Sequence, residues 1–70
     1  MTRGDELKKA IENAGVSIVF LADRMHCSRN RIYAIINGAD CTATEIAALS
    51  ELLHLSKSQR DYIFLNENVN

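Results

Sequence analysis

The sequence predicts an all-α fold, five short helices in one small domain, and three observations carry that prediction. There is no proline in the 70 residues and only three glycines. Apolar residues recur at i, i+3, i+4 and i+7 in successive segments instead of alternating. Each segment is bracketed by a serine or threonine cap before it or a terminator after it. Seventy residues form one domain with a modest core, read here as residues 1–70 with an ordered core at about 5–65 and a polar tail at 66–70.

The first helix is expected in "DELKKAIENAG", where Leu7, Ala10, Ile11 and Ala14 line one stripe and Gly15 supplies the positive φ that ends it. Ser17 caps the second, "IVFLADRM", with Ile18, Leu21, Ala22 and Met25 repeating the spacing. Ser28 caps the third, "RNRIYAII", which stops at Asn37-Gly38. Thr42 with Glu45 forms a capping box before "IAALSELL", whose stripe is Ile46, Leu49 and Leu53. Ser56 with Gln59 repeats that pattern before "RDYIFLN". "MHCS" and "LHLS" each set a histidine between an apolar helix and a serine cap. Histidine tolerates the left-handed region better than most residues, so His26 and His54 are expected to terminate helices.

Composition narrows the function classes. Apolar residues make up 47% of the chain and charged residues 24%, the balance of an ordinary folded protein. No run of about 18 apolar residues exists, so no membrane span is expected. "MTRGDELKKA" has no apolar stretch behind its charges and does not read as a secretory signal. A cytoplasmic location with reduced cysteines is therefore the expectation. Net charge is only −1 but uneven: residues 24–39 hold Arg24, Arg29 and Arg31 and no acid, a local +3 on an otherwise acidic chain.

The block "VSIVFLADRMHCSRNRIYAIINGA", residues 16–39, is similar to the helix-turn-helix of the Cro and phage-repressor (XRE-type) family. It fits that pattern without a gap. Val16, Leu21, Ala22, Met25, Cys27 and Ile32 take the apolar places, Ser17 and Ser28 the caps, and Asn37-Gly38 the closing turn. The resemblance implies a compact five-helix domain like that of lambda repressor, with the third helix in the major groove of double-stranded operator DNA. At roughly 100° per residue, Arg29, Asn30, Tyr33, Ala34 and Asn37 share one arc, with Ile32 and Ile35 opposite. Arginine suits guanine and asparagine suits adenine. In the family, positions matching Arg29, Asn30 and Ala34 reach bases, and those matching Ser28 and Asn37 touch phosphates. Arg31, at the margin of the arc, is expected to hold phosphate.

The chain departs from the family where Ile18, Val19, Phe20 and Ile36 stand at positions usually polar, and where "ADCTATE" replaces basic residues after Asn-Gly. About two or three cationic phosphate contacts per subunit remain, which implies weak binding by a monomer. Two readings follow. One is a small transcriptional regulator resembling those of temperate phages or related mobile elements, acting as a dimer or mixed complex. The other is an antirepressor that binds a partner repressor through Ile18, Val19, Phe20 and Ile36, since such anchors are enriched at interfaces. Its competitor is that Ile18, Val19 and Ile36 simply tuck into the core. In the last helix "YIFL" offers Tyr62, Phe64 and Leu65 for self-association in a homodimer, or as a lid on the core.

Other chemistry finds little footing. His26, Cys27, Cys41 and His54 lack the usual zinc-ligand spacings, so no metal and no cofactor is expected, and Cys27 reads as a buried thiol. Cys41 beside Asp40 has no local base, and the acid disfavours its thiolate. Glu12, Glu45 and Glu51 read as solvated helix surface. No small-molecule substrate or catalytic constellation emerges, and the chain is not expected to be an enzyme.

Overall fold

A computed structural model describes residues 2–65; the tail expected at 66–70 lies outside the described residues. Five α-helices follow one another: α1 Gly4–Ala14, α2 Ile18–Arg24, α3 Arg29–Ile36, α4 Ala43–Leu52 and α5 Lys57–Arg60. The last runs on as a π-helical turn, Asp61–Leu65, and the described residues hold no strand.

The caps explain why the helices start and stop where they do. Ser17, Ser28, Thr42 and Ser56 each accept a bond from the backbone N–H three residues on, at 3.0–3.1 Å. Thr42–Glu45 and Ser56–Gln59 close full capping boxes, so two orphan N–H groups are satisfied at each start. The ends are equally regular. His26 (φ 54°) and His54 (φ 55°) adopt the left-handed conformation. Cys27 N–H then reaches Ala22 O (3.0 Å) and Leu55 N–H reaches Ser50 O (2.9 Å), the six-to-one bond of a Schellman cap. Gly38 and Ala39 end α3 the same way, on Ile35 O and Ala34 O.

Packing collects the stripes into one core. Leu7 and Ile11 of α1, Leu21 and Ala22 of α2, Ile32 and Ile35 of α3, Leu49 and Leu53 near α4, and Ile63 and Phe64 are all buried. Fully burying a Leu, Ile or Phe side chain contributes about 1.5–3 kcal/mol, so these ten residues supply most of the driving force. Phe64, offered by the sequence for self-association or as a lid, is 6% exposed and belongs to the core. Tyr62 and Leu65 do remain exposed.

The start of the chain is tied down more firmly than periodicity implied. Thr2 is buried, and its hydroxyl donates to Ala39 O at 2.7 Å. Arg3 donates its backbone N–H to Ile63 O (2.7 Å) and its Nε–H to Tyr62 O (2.9 Å), with its guanidinium over the Tyr62 ring. These bonds tie the first residues described to carbonyls of the π-helical turn. Gly4 lies against the end of α3, and a Cβ there would fall onto the carbonyl oxygen of Ile36.

Gly4→Ala should therefore destabilise the protein by about 1–3 kcal/mol, the cost of forced overpacking against backbone. His54→Gly should act oppositely, raising stability by up to about 1 kcal/mol by removing a Cβ from a left-handed residue. Urea denaturation followed by circular dichroism checks both signs.

Candidate nucleic-acid interface

Everything about the outer face of α3 follows from its inner one. Ile32 and Ile35 are 1% and 0% exposed, which fixes the rotation of the helix. Arg29, Asn30, Tyr33 and Asn37 are then all exposed, and Ala34 is half-buried beside them. Tyr33 shows 51% of its surface. Ser28 precedes them as the cap, its Oγ accepting from Arg31 N–H at 3.1 Å. α2 packs on α3 across the turn at 25–28, which His26 closes.

Arg31 has a different environment from the one expected. Its Nε–H donates to Glu45 Oε2 and an Nη–H to Glu45 Oε1, both at 2.8 Å, and an Nη–H also reaches Asp40 O at 2.9 Å. One guanidinium thus joins α3, the following loop and the first turn of α4. Glu45 Oε1 also accepts from Thr42 N–H at 2.9 Å, so the carboxylate caps α4 and holds Arg31 together. Glu45 is accordingly not the solvated surface acid the sequence implied, with only 17% of its side chain exposed. The guanidinium expected to hold phosphate has a bidentate partner inside the protein.

These bonds shift both ionisations. The Arg31 guanidinium holds the Glu45 carboxyl down to about 2, helped by the Thr42 backbone N–H against an opposing effect of burial. Glu45 in turn raises Arg31 above its ordinary value through the same hydrogen bond. Burial pushes the Cys41 thiol up, more than its acidic neighbours do, and the Thr2 hydroxyl only partly offsets this. Cys41 therefore stays a thiol, lodged half-buried under Thr2 at 3.7 Å. Cys27 is half-buried against the core rather than fully enclosed.

The four apolar departures separate. Ile18, Phe20 and Ile36 are half-buried and pack against the core, and the Arg24 guanidinium lies 5.1 Å from the Phe20 ring centroid. Val19 alone stands out, 59% exposed. Between α1, α2 and α3 runs a groove of about 390 Å³ lined by Lys8, Ile11, Ile18, Tyr33, Ile36 and Asn37 among others. Tyr33 and Asn37 thus belong both to the exposed arc of α3 and to this groove.

Among the described residues no group of three or more His, Cys, Asp or Glu is placed to hold a metal ion. Nor is any described helix long and apolar enough to cross a membrane.

The Glu45 shift sets an acid dependence. As pH falls below about 4.5 the unfolded chain takes up a proton at residue 45 that the folded protein refuses until about 2. The unfolded state binds more protons across that window, so the stabilisation is present above pH 4.5 and lost toward pH 2. Glu45→Gln keeps a capping side chain at this position but removes the titration. Thermal unfolding midpoints from pH 6 to 2 should fall less steeply in this variant than in the wild type.

Comparison with known proteins leaves these observations to stand alone: no protein-family model, no curated protein and no solved structure matches the chain.

Proposed function

We propose that the protein is a small transcriptional regulator of the Cro and phage-repressor type, in which α2 and α3 form a helix-turn-helix and α3 enters the major groove of operator DNA. The observation that carries this reading is the exposed row of Arg29, Asn30, Tyr33 and Asn37 opposite the buried Ile32 and Ile35. An α-helix fits the major groove, where every base pair displays its own donors and acceptors. Arg29 is the side chain for guanine and Asn30 for adenine, both at the first turn where a reading helix meets base edges. The Ser28 hydroxyl accepts the cap bond and still has a proton to give a phosphate oxygen. Asn37 offers its amide at the other end, and Ala34 is small enough to let the helix approach. With Arg31 bound to Glu45, cationic contacts are fewer than the local +3 implied, so a dimer or a mixed complex is the form that binds usefully.

A second reading is favoured by the groove between α1, α2 and α3 and by exposed Val19. An antirepressor would seat a partner repressor there, over Ile18, Val19 and Ile36, with Phe20 at the flank. Because Tyr33 and Asn37 line the same groove, such a partner would cover part of the DNA face.

Arg29→Ala should lower affinity for the preferred duplex by about 1–3 kcal/mol and relax selectivity at one base pair. Titrating labelled duplexes that differ at single positions checks this, and an equal loss on every duplex would assign Arg29 to phosphate. Duplex binding that appears only after a repressor is added would favour the second reading.

A further inference from the structure

Arg31 sits in the first turn of α3, beside Arg29 and Asn30, with 35% of its side chain exposed. A guanidinium so placed is the natural phosphate ligand of a reading helix, because its planar fork matches two anionic oxygens at once. That fork is already filled. Glu45 meets it through both oxygens at 2.8 Å, the arrangement a phosphate would adopt, and Asp40 O takes a further bond. Glu45 is itself anchored by the Thr42 N–H and by the first turn of α4, so it holds the fork from a fixed position.

We propose that Glu45 is an internal stand-in for a DNA phosphate: it withholds Arg31 from the duplex and so limits the affinity of the α3 face. This rests on the DNA-binding reading above. Affinity from a cation comes largely from neutralising a phosphate and releasing its counterions. An arginine already neutralised by a carboxylate releases none, because moving from one bidentate anion to another leaves the first uncompensated. The cationic contribution of residues 24–39 then falls to Arg24 and Arg29. Base contacts by Arg29 and Asn30 are left to carry more of the binding, and selectivity gains at the expense of indiscriminate attachment. A purely structural ion pair makes the opposite prediction: its loss weakens the fold and binding together.

The test measures duplex affinity against salt for wild type, Glu45→Gln and the double variant Arg31→Gln with Glu45→Gln. The amide keeps the cap on α4 but removes the charge that neutralises Arg31 and the second oxygen of the fork. The slope of log affinity against log salt should then steepen by about 0.9 per subunit, and the affinity gained between 200 and 50 mM salt should grow by about a further 3.5-fold. In the double variant that gain should vanish, tying it to Arg31 rather than to total charge. A second measurement needs no variant: on adding duplex to the wild-type protein, the Arg29 Nε–H resonance should move while that of Arg31 stays. Binding with an unchanged slope in Glu45→Gln, a gain that persists in the double variant, or a shift of Arg31 in step with Arg29 would overturn the withholding role alone. Absence of duplex binding by all three proteins would overturn the DNA-binding reading and this inference with it.

Discussion

The burial of Ile32 and Ile35 is the constraint on which the rest of the molecule depends. Two adjacent stripe positions of an eight-residue helix, both closed to solvent, leave α3 a single rotation about its own axis. That rotation puts Arg29, Asn30 and Tyr33 outside, sets Arg31 at the edge of α4, and turns Ile36 toward α1. A small domain can enforce this only because other helices close over the same point. Leu7, Leu21 and Leu49 come from three different helices and are also fully buried.

Around that core the protein uses polar bonds as fasteners between elements distant in sequence. Thr2 and Arg3 reach residues 39, 62 and 63, tying the first residues described to the loop after α3 and to the π-helical turn. Arg31 and Glu45 fasten α3 to α4. Thr2 and Arg31 both bond to carbonyls of the α3–α4 connection, residues 37–42, which contains no buried apolar side chain. Hydrogen bonds to charged groups contribute more than neutral ones, so a guanidinium is well suited to a stretch that hydrophobic burial does not secure. The same fastener neutralises a cation beside the proposed reading face. Stability of the loop and electrostatic attraction for a polyanion therefore compete for one side chain.

The residues that departed from the family pattern show how far periodicity can be trusted. Ile18, Phe20 and Ile36 looked available for a partner because they stand at positions that the family pattern usually keeps polar. In the folded chain they widen the apolar face and pack on its margin, leaving a groove and one exposed valine. Phe64 illustrates the same point at the other end. "YIFL" is too apolar for one helical face, and the chain resolves this by burying Ile63 and Phe64 together while Tyr62 and Leu65 face out. Tyr62 is accommodated there because Arg3 lies over its ring, 4.5 Å from the centroid. No sequence window contains both residues.

What the sequence by itself determined is the local geometry: five helical segments, four side-chain caps, the left-handed histidines and the direction in which α3 turns its arginine and asparagine. The caps and terminators rest on interactions spanning three to five residues, and the spacing of Ile32 and Ile35 marks the face of α3 that packing then encloses. Tertiary structure alone decided the partner of Arg31, the burial of Phe64, the contact of Gly4 with Ile36 and the lodging of Cys41 under Thr2. The Arg31–Glu45, Gly4–Ile36 and Thr2–Cys41 contacts join residues 14, 32 and 39 positions apart. Such meetings depend on how the apolar stripes close on one another, which no periodicity within a segment expresses.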